Sequence, residues 1–152
     1  MKILYLTLML IVLPLLALSQ EKENGNEEEK KSSLSVFIGG TTNKDATAFT
    51  IGLDYQYRIN KLIGVGLVLD YATPEIKSLL LAPAAFFHLW HFEIVVAPGA
   101  EFSGDEVSFV FRTGVSYEFE LNRFTISPSL LFDTERSDEV SLVYGVAFGF
   151  KL

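Results

Sequence analysis

The chain has 152 residues, enough for one domain, and a formal charge of −7 from 12 Lys+Arg against 19 Asp+Glu. An acidic chain without a basic stripe argues against a nucleic-acid partner, and its lack of cysteine excludes disulfides, thiolate nucleophiles and cysteine-based metal sites. It is 49% hydrophobic with a mean hydropathy of +0.32, yet beyond the first residues no run reaches the roughly 18 apolar residues of a spanning helix, which leaves a soluble β core or a transmembrane barrel.

The N-terminus opens with Lys2 and an apolar run over 3–16 broken only by Thr7 and Pro14, with Ala17 and Ser19 following. This is the charged, apolar, small-residue order of a secretory signal, so residues 1–19 are expected to be removed ahead of Gln20. The other reading, an N-terminal anchor, needs a run of about 20 residues, longer than this one. Residues 20–32 (QEKENGNEEEKKS) contain no aliphatic or aromatic side chain. They cannot bury enough apolar area to offset the entropy of ordering, so a disordered acidic tail is expected. It reads as a solvated spacer, with a partner-binding arm as the alternative.

Turn-like clusters divide the remaining chain, 33–152, into eight segments: 33–40, 46–58, 62–72, 79–88, 91–102, 107–120, 124–133 and 139–151. The second alternates strictly, with Phe49, Ile51, Leu53, Tyr55 and Tyr57 on one face and Thr50, Gly52, Asp54, Gln56 and Arg58 on the other. Strand side chains point to opposite faces with period two, so each such segment reads as a two-faced strand. Eight is an even number, and most segments are near the length a tilted strand needs to cross hydrocarbon. Connections at Asn60-Lys61, Trp90 and Asn122-Arg123 are tight, and those at 41–45, 73–78, 103–106 and 134–138 are expected to be somewhat longer.

The two faces decide the environment. Ile63, Val65, Leu67 and Leu69, then Phe92, Ile94 and Val96, then Phe109, Phe111 and Val115, then Tyr144, Val146, Phe148 and Phe150 share a face that carries no charge. The opposite face collects Gly52, Gly64, Gly66, Gly99, Gly114, Gly145 and Gly149 among Ser and Thr. An eight-stranded lumen has room only for enough side chains to fill it, so the bulky set does not fit inside. With lipid outside, the bulky residues meet acyl chains, the small ones fit the axis, and closure pairs every backbone group. The fold expected is all-β, an eight-stranded antiparallel up-and-down transmembrane β-barrel. Aromatics near the strand ends, such as Tyr57, Tyr71, Trp90, Tyr117 and Phe124, fit interfacial girdles. A secreted lipocalin-like binding barrel is the alternative, with the phasing reversed. The segment 79–88 (LLLAPAAFFH) is apolar on both faces, so its phase stays open and a short buried helix competes. Pro83, Pro98 and Pro128 fall inside strands, where a bulge or a missing hydrogen bond is expected at each.

The last strand ends YGVAFGF, with Gly145 followed by Phe148 and Phe150. In this the chain resembles the small eight-stranded outer-membrane β-barrel proteins of Gram-negative bacteria, the OmpA/OmpX-like group, over 33–152. The resemblance implies location in the cell outer membrane, contact with outer-membrane lipid, and reading of Gly145, Phe148 and Phe150 by the barrel assembly machinery. Lys151, Leu152 and Val143 depart from that terminal pattern.

The inward face carries a candidate polar network of Asp54, Arg58, Asp70, Glu93, Glu101, Arg112 and Glu118. Buried charges must be paired or hydrogen-bonded. One reading is a plug, with Arg112 and Arg58 neutralising neighbouring carboxylates; the other is a narrow cation-favouring channel lined by the excess acid. Some resembling barrels act on lipid A, but such chemistry needs a nucleophile with a base, and the two histidines, His88 and His91, fall at a tight turn. That pair is read as a wet turn beside Trp90 rather than as metal ligands, because no third ligand is evident. The expectation is an integral structural or adhesion-type barrel with a side-chain-filled polar lumen, without catalysis, cofactor or metal.

Overall fold

The computed structural model describes residues 31–73 and 76–152. The expected signal and most of the expected tail lie outside the described residues. Nine strands follow one another: β1 (Ser32–Thr42), β2 (Thr47–Arg58), β3 (Ile63–Thr73), β4 (Ser78–Leu89), β5 (Phe92–Ser103), β6 (Glu106–Tyr117), β7 (Phe119–Leu121), β8 (Phe124–Glu135) and β9 (Val140–Lys151). All neighbours are antiparallel, β1 pairs with β9, and the pairing of β6 with β8 closes the sheet. β6 and β7 form one stave interrupted at Glu118, since both pair with β8 in a single continuing register. That register sets Pro128, which has no N–H to donate, opposite Tyr117, just before the interruption. The body is therefore an eight-staved closed barrel, as the alternation predicts.

The registers fix the stagger. Stepping across partners from Ser32 through Tyr57, Val65, Ala85, Val96, Thr113, Phe132 and Leu142 returns to β1 at Thr42. The chain thus climbs ten residues in one circuit, which is the shear that tilts every strand against the barrel axis. No ladder shifts register along its length, so the prolines make no bulge. They break hydrogen bonds instead. Pro83 faces Pro98 across β4 and β5, and the pairing lapses between Leu81 and Ala85 opposite Val96 and Ala100.

One end of the barrel holds Ser32, Leu152 and the turns at 59–62, 90–91 and 122–123; the other holds 43–46, 76–77, 104–105 and 136–139. The expected contrast in loop length is slight. Gly104-Asp105 is as tight as Trp90-His91 and Asn122-Arg123, and the first residue of each of these pairs has positive φ. That hand matches the twist of the flanking strands in two-residue hairpins.

The outer wall is apolar and uncovered. Ile51, Leu53, Val65, Ile94, Phe109, Phe111 and Phe148 all stand exposed at mid-strand, a continuous belt that water would not tolerate at this extent. Phe92, Tyr117 and Phe119 pack edge to edge near the terminal end, with Phe124 against Phe150 alongside, and Trp90 is 96% exposed at the adjacent turn. β4 resolves the open phase: Leu80, Ala82, Ala84, Phe86 and His88 point inward, and Leu79 and Phe87 outward. The lumen is less purely small and polar than expected, because Phe37 and Phe86 join Val68, Val95, Leu131 and Val143 in a buried cluster. Phe37 fits because Gly39 and Gly145 face one another across β1 and β9. A Cβ on Gly145 would stand 2.8 Å from the Phe37 ring and 2.6 Å from the Gly39 backbone.

Candidate functional site

Six residues of the predicted network lie on inward-facing strand positions and Glu118 at the break between β6 and β7, and most of them fall into two groups rather than one. The first closes the barrel. Arg112 on β6 faces Asp133 on β8 in register and donates to it twice, from Nε to Oδ1 at 2.6 Å and from Nη2 to Oδ2 at 2.8 Å. Its Nη1 reaches across the lumen to Oδ2 of Asp70 on β3. All three side chains are buried. The bidentate fork pairs Arg112 with Asp133 in a dry setting and leaves its third nitrogen for Asp70, so one guanidinium serves two carboxylates. Val110, two residues before Arg112 on β6, and Val143 on β9 are each 0% exposed. Gly52 is Asp70's register partner, and a Cβ there would collide with Asp70 Oδ1. Thr41 and Thr50 hydroxyls, 2.6 Å apart, bond on the same inner wall.

The second group lies near the terminal end. His88 on β4 faces Glu93 on β5, with Nε2 3.6 Å from Glu93 Oε2 and Nδ1 3.8 Å from Glu118 Oε2. Gln56 Nε2 lies 2.7 Å from His88 Nε2 and 3.2 Å from Glu93 Oε2. Arg58 Nη2 is 3.1 Å from His88 Nδ1 and 3.9 Å from Glu118 Oε2. His88 is thus inside the barrel and 4% exposed, which corrects its expected place at a wet turn. His91 does sit at the turn, beside Tyr117. Glu101 faces inward nearer the opposite mouth, paired with Leu80 and Ser108.

A cavity of about 70 Å³ runs between the two groups, lined at one extreme by Arg58, Glu118, Glu120 and Lys151 and at the other by Asp70 and Arg112. It opens at the terminal end and stops at the Arg112 fork. Asp54 also lines it, and among the described residues the buried Oδ1 atoms of Asp54 and Asp70 have no hydrogen-bond partner. Sequence reasoning left Asp133 out of the network although it ends the segment 124–133 in phase with the inward Thr125, Ser127 and Ser129. It missed His88 and Gln56 because the phase of β4 was open and a neutral amide was not counted beside charges. It also missed Lys151, which turns inward and pairs with Glu120 at 3.4 Å. Phe148 and Phe150 of the terminal strand face outward and Gly145 inward.

No known family profile matches the chain, and no characterised protein matches it in sequence. Solved structures match its fold. The attachment invasion locus protein Ail of Yersinia pestis is 14% identical with a TM-score of 0.54, covering 81% of this chain and 99% of its own. The N-terminal β-barrel domain of Pseudomonas aeruginosa OprF is 16% identical with a TM-score of 0.51, covering 78% and 97%. The de novo designed barrel TMB2.3 is 14% identical with a TM-score of 0.56, covering 82% and 98%. At such identities the likeness concerns fold. The chain has the eight-stranded transmembrane β-barrel architecture of small outer-membrane proteins.

Proposed function

We propose that this chain is an integral protein of the bacterial outer membrane whose role is structural, its lumen closed by side chains. The observation that carries the reading is the Arg112 fork, which ties β6 and β8 to β3 across the axis. An adhesive role has little chain to work with, since the loops at the end away from the termini are two to four residues long. We assign no catalysis, because the described neighbours of the His88 ring are Gln56, Arg58 and two carboxylates rather than a hydroxyl. Recognition of Gly145, Phe148 and Phe150 by the barrel assembly machinery belongs to the same reading.

Two measurements test it. The protein should fractionate with outer membranes and migrate differently on gels before and after boiling. In planar bilayers it should leave the current flat. Stable single-channel steps would instead support the second reading, a narrow cation-favouring pore. That reading rests on the acid lining the cavity: Asp54, Asp70, Glu93, Glu118 and Glu120 against Arg58, Arg112 and Lys151.

A further inference from the structure

We infer that the terminal-end cavity holds a divalent cation of the zinc class on His88, Glu93 and Glu118. Donor atoms of these three side chains all lie within 4.8 Å of one another. The 3.6 Å between His88 Nε2 and Glu93 Oε2 matches the edge of a tetrahedron, roughly 3.3–3.6 Å for bonds of about 2.0–2.2 Å. An imidazole among carboxylates selects zinc, copper or nickel over the hard cations magnesium and calcium.

The unliganded hydrogen bonds do not balance. Gln56 Nε2 and Arg58 Nη2 both point N–H groups at the His88 ring, one at each nitrogen, and a neutral imidazole accepts at only one. Turning the Gln56 amide by half a rotation satisfies a protonated Nε2 but then sets its carbonyl oxygen against Glu93 Oε2, where Nε2 now stands at 3.2 Å. With Glu93 ionised, neither orientation suits every group. A cation held by one His88 nitrogen with Glu93 and Glu118 replaces these donors, and the Gln56 amide then turns away from the ring. Arg58, whose side chain is 34% exposed, then turns out to the mouth.

Asp54 is a second, independent pointer. Its Oδ1 is buried, has no partner among the described residues and lines the same cavity. With Asp70 and Asp133 already held by Arg112, the remaining carboxylates of the cavity, Asp54, Glu93, Glu118 and Glu120, share it with two cations, Arg58 and Lys151. A dication supplies what this pocket lacks. The inference does not depend on whether the lumen conducts.

The test is calorimetric titration of the protein refolded in detergent with zinc chloride, beside His88→Asn, Glu93→Gln and a His91→Asn control. The folded fraction of each is read from heat-modifiable migration. Saturable binding of one zinc per chain is expected, unchanged in His91→Asn and weakened at least about ten-fold in His88→Asn and Glu93→Gln. No heat beyond dilution would overturn the inference. So would binding that both lumen variants retain, which would place the metal on the acidic segment before β1. If His88→Asn fails to fold, Glu93→Gln alone decides.

Discussion

The two polar groups of the lumen use the same side-chain chemistry to opposite ends. At the Arg112 fork one cation meets two carboxylates at hydrogen-bonding distance, all three dry and matched in direction. Around His88 five polar side chains crowd a cavity open to one end, with ion-pair distances of 3.6 to 3.9 Å and donors that do not match acceptors. What separates them is geometry rather than composition. Register sets Asp133 beside Arg112, and Gly52 leaves room for Asp70. Register also sets His88 opposite Glu93, but the ion pairs around it stay at 3.6 to 3.9 Å. The first group is built for rigidity and the second for exchange with whatever enters.

The sharpest way to break this contrast is Arg112→Ala. It leaves Asp70 and Asp133 as uncompensated buried charges, a loss of about 3–5 kcal/mol. The urea midpoint of the folded barrel in lipid vesicles should fall accordingly, and an unchanged midpoint would show that the fork does not hold the lumen. Gly52→Ala comes next. The added methyl group drives Asp70 away from Arg112, at a cost of roughly 1–3 kcal/mol, and the same denaturation series reads it. In the second group Glu118→Gln should cost less than about 1 kcal/mol, because its partners are loosely placed and partly in contact with water. Were it to cost as much as Arg112→Ala, the distinction between the two groups would fail.

The smallest effect belongs outside the lumen. Lys44 and Glu139 form an exposed pair at 3.1 Å in the loops away from the termini, and the hydrogen bond to Glu139 raises the lysine's pKa. A raised amine pKa contributes stability below its unfolded value, which is lost as pH rises through the folded one. For a pair this exposed, Lys44→Ala should leave the midpoint unresolved from wild type at pH 7. A clear drop would mean these loops are more tightly packed than their exposure implies.

Most of the barrel was legible in the sequence because its signal is periodic. Most residues of β2, β3, β5, β6 and β9 declare their face by being bulky and apolar or small and polar, with Val68, Val95, Val110 and Val143 as inward exceptions. β4 gave no such contrast. Its phase is set by pairing with β3 and β5, which turns His88 toward Glu93, and that information is tertiary. The candidate network was half legible for the same reason. Period two shows which charges point inward, but the ten-residue shear decides which of them share a height, so Asp70 and Arg112 meet although two staves lie between their strands. The prolines illustrate the other limit. Each plainly removes a donor, yet only the register shows that Pro83 and Pro98 face one another, so that one lapse absorbs both.

The account rests on the bulky face lying against lipid, and the absence of native cysteine allows a direct measurement. Single cysteines placed at Leu53, Phe111 and Phe148 would carry nitroxide spin labels in the barrel folded into bilayers. Their collision rates with oxygen, which partitions into hydrocarbon, should be high, and those with a water-soluble nickel chelate low. Labels shielded from both reagents, or reached first by the nickel chelate, would place those residues in a protein interior or in water and contradict the account.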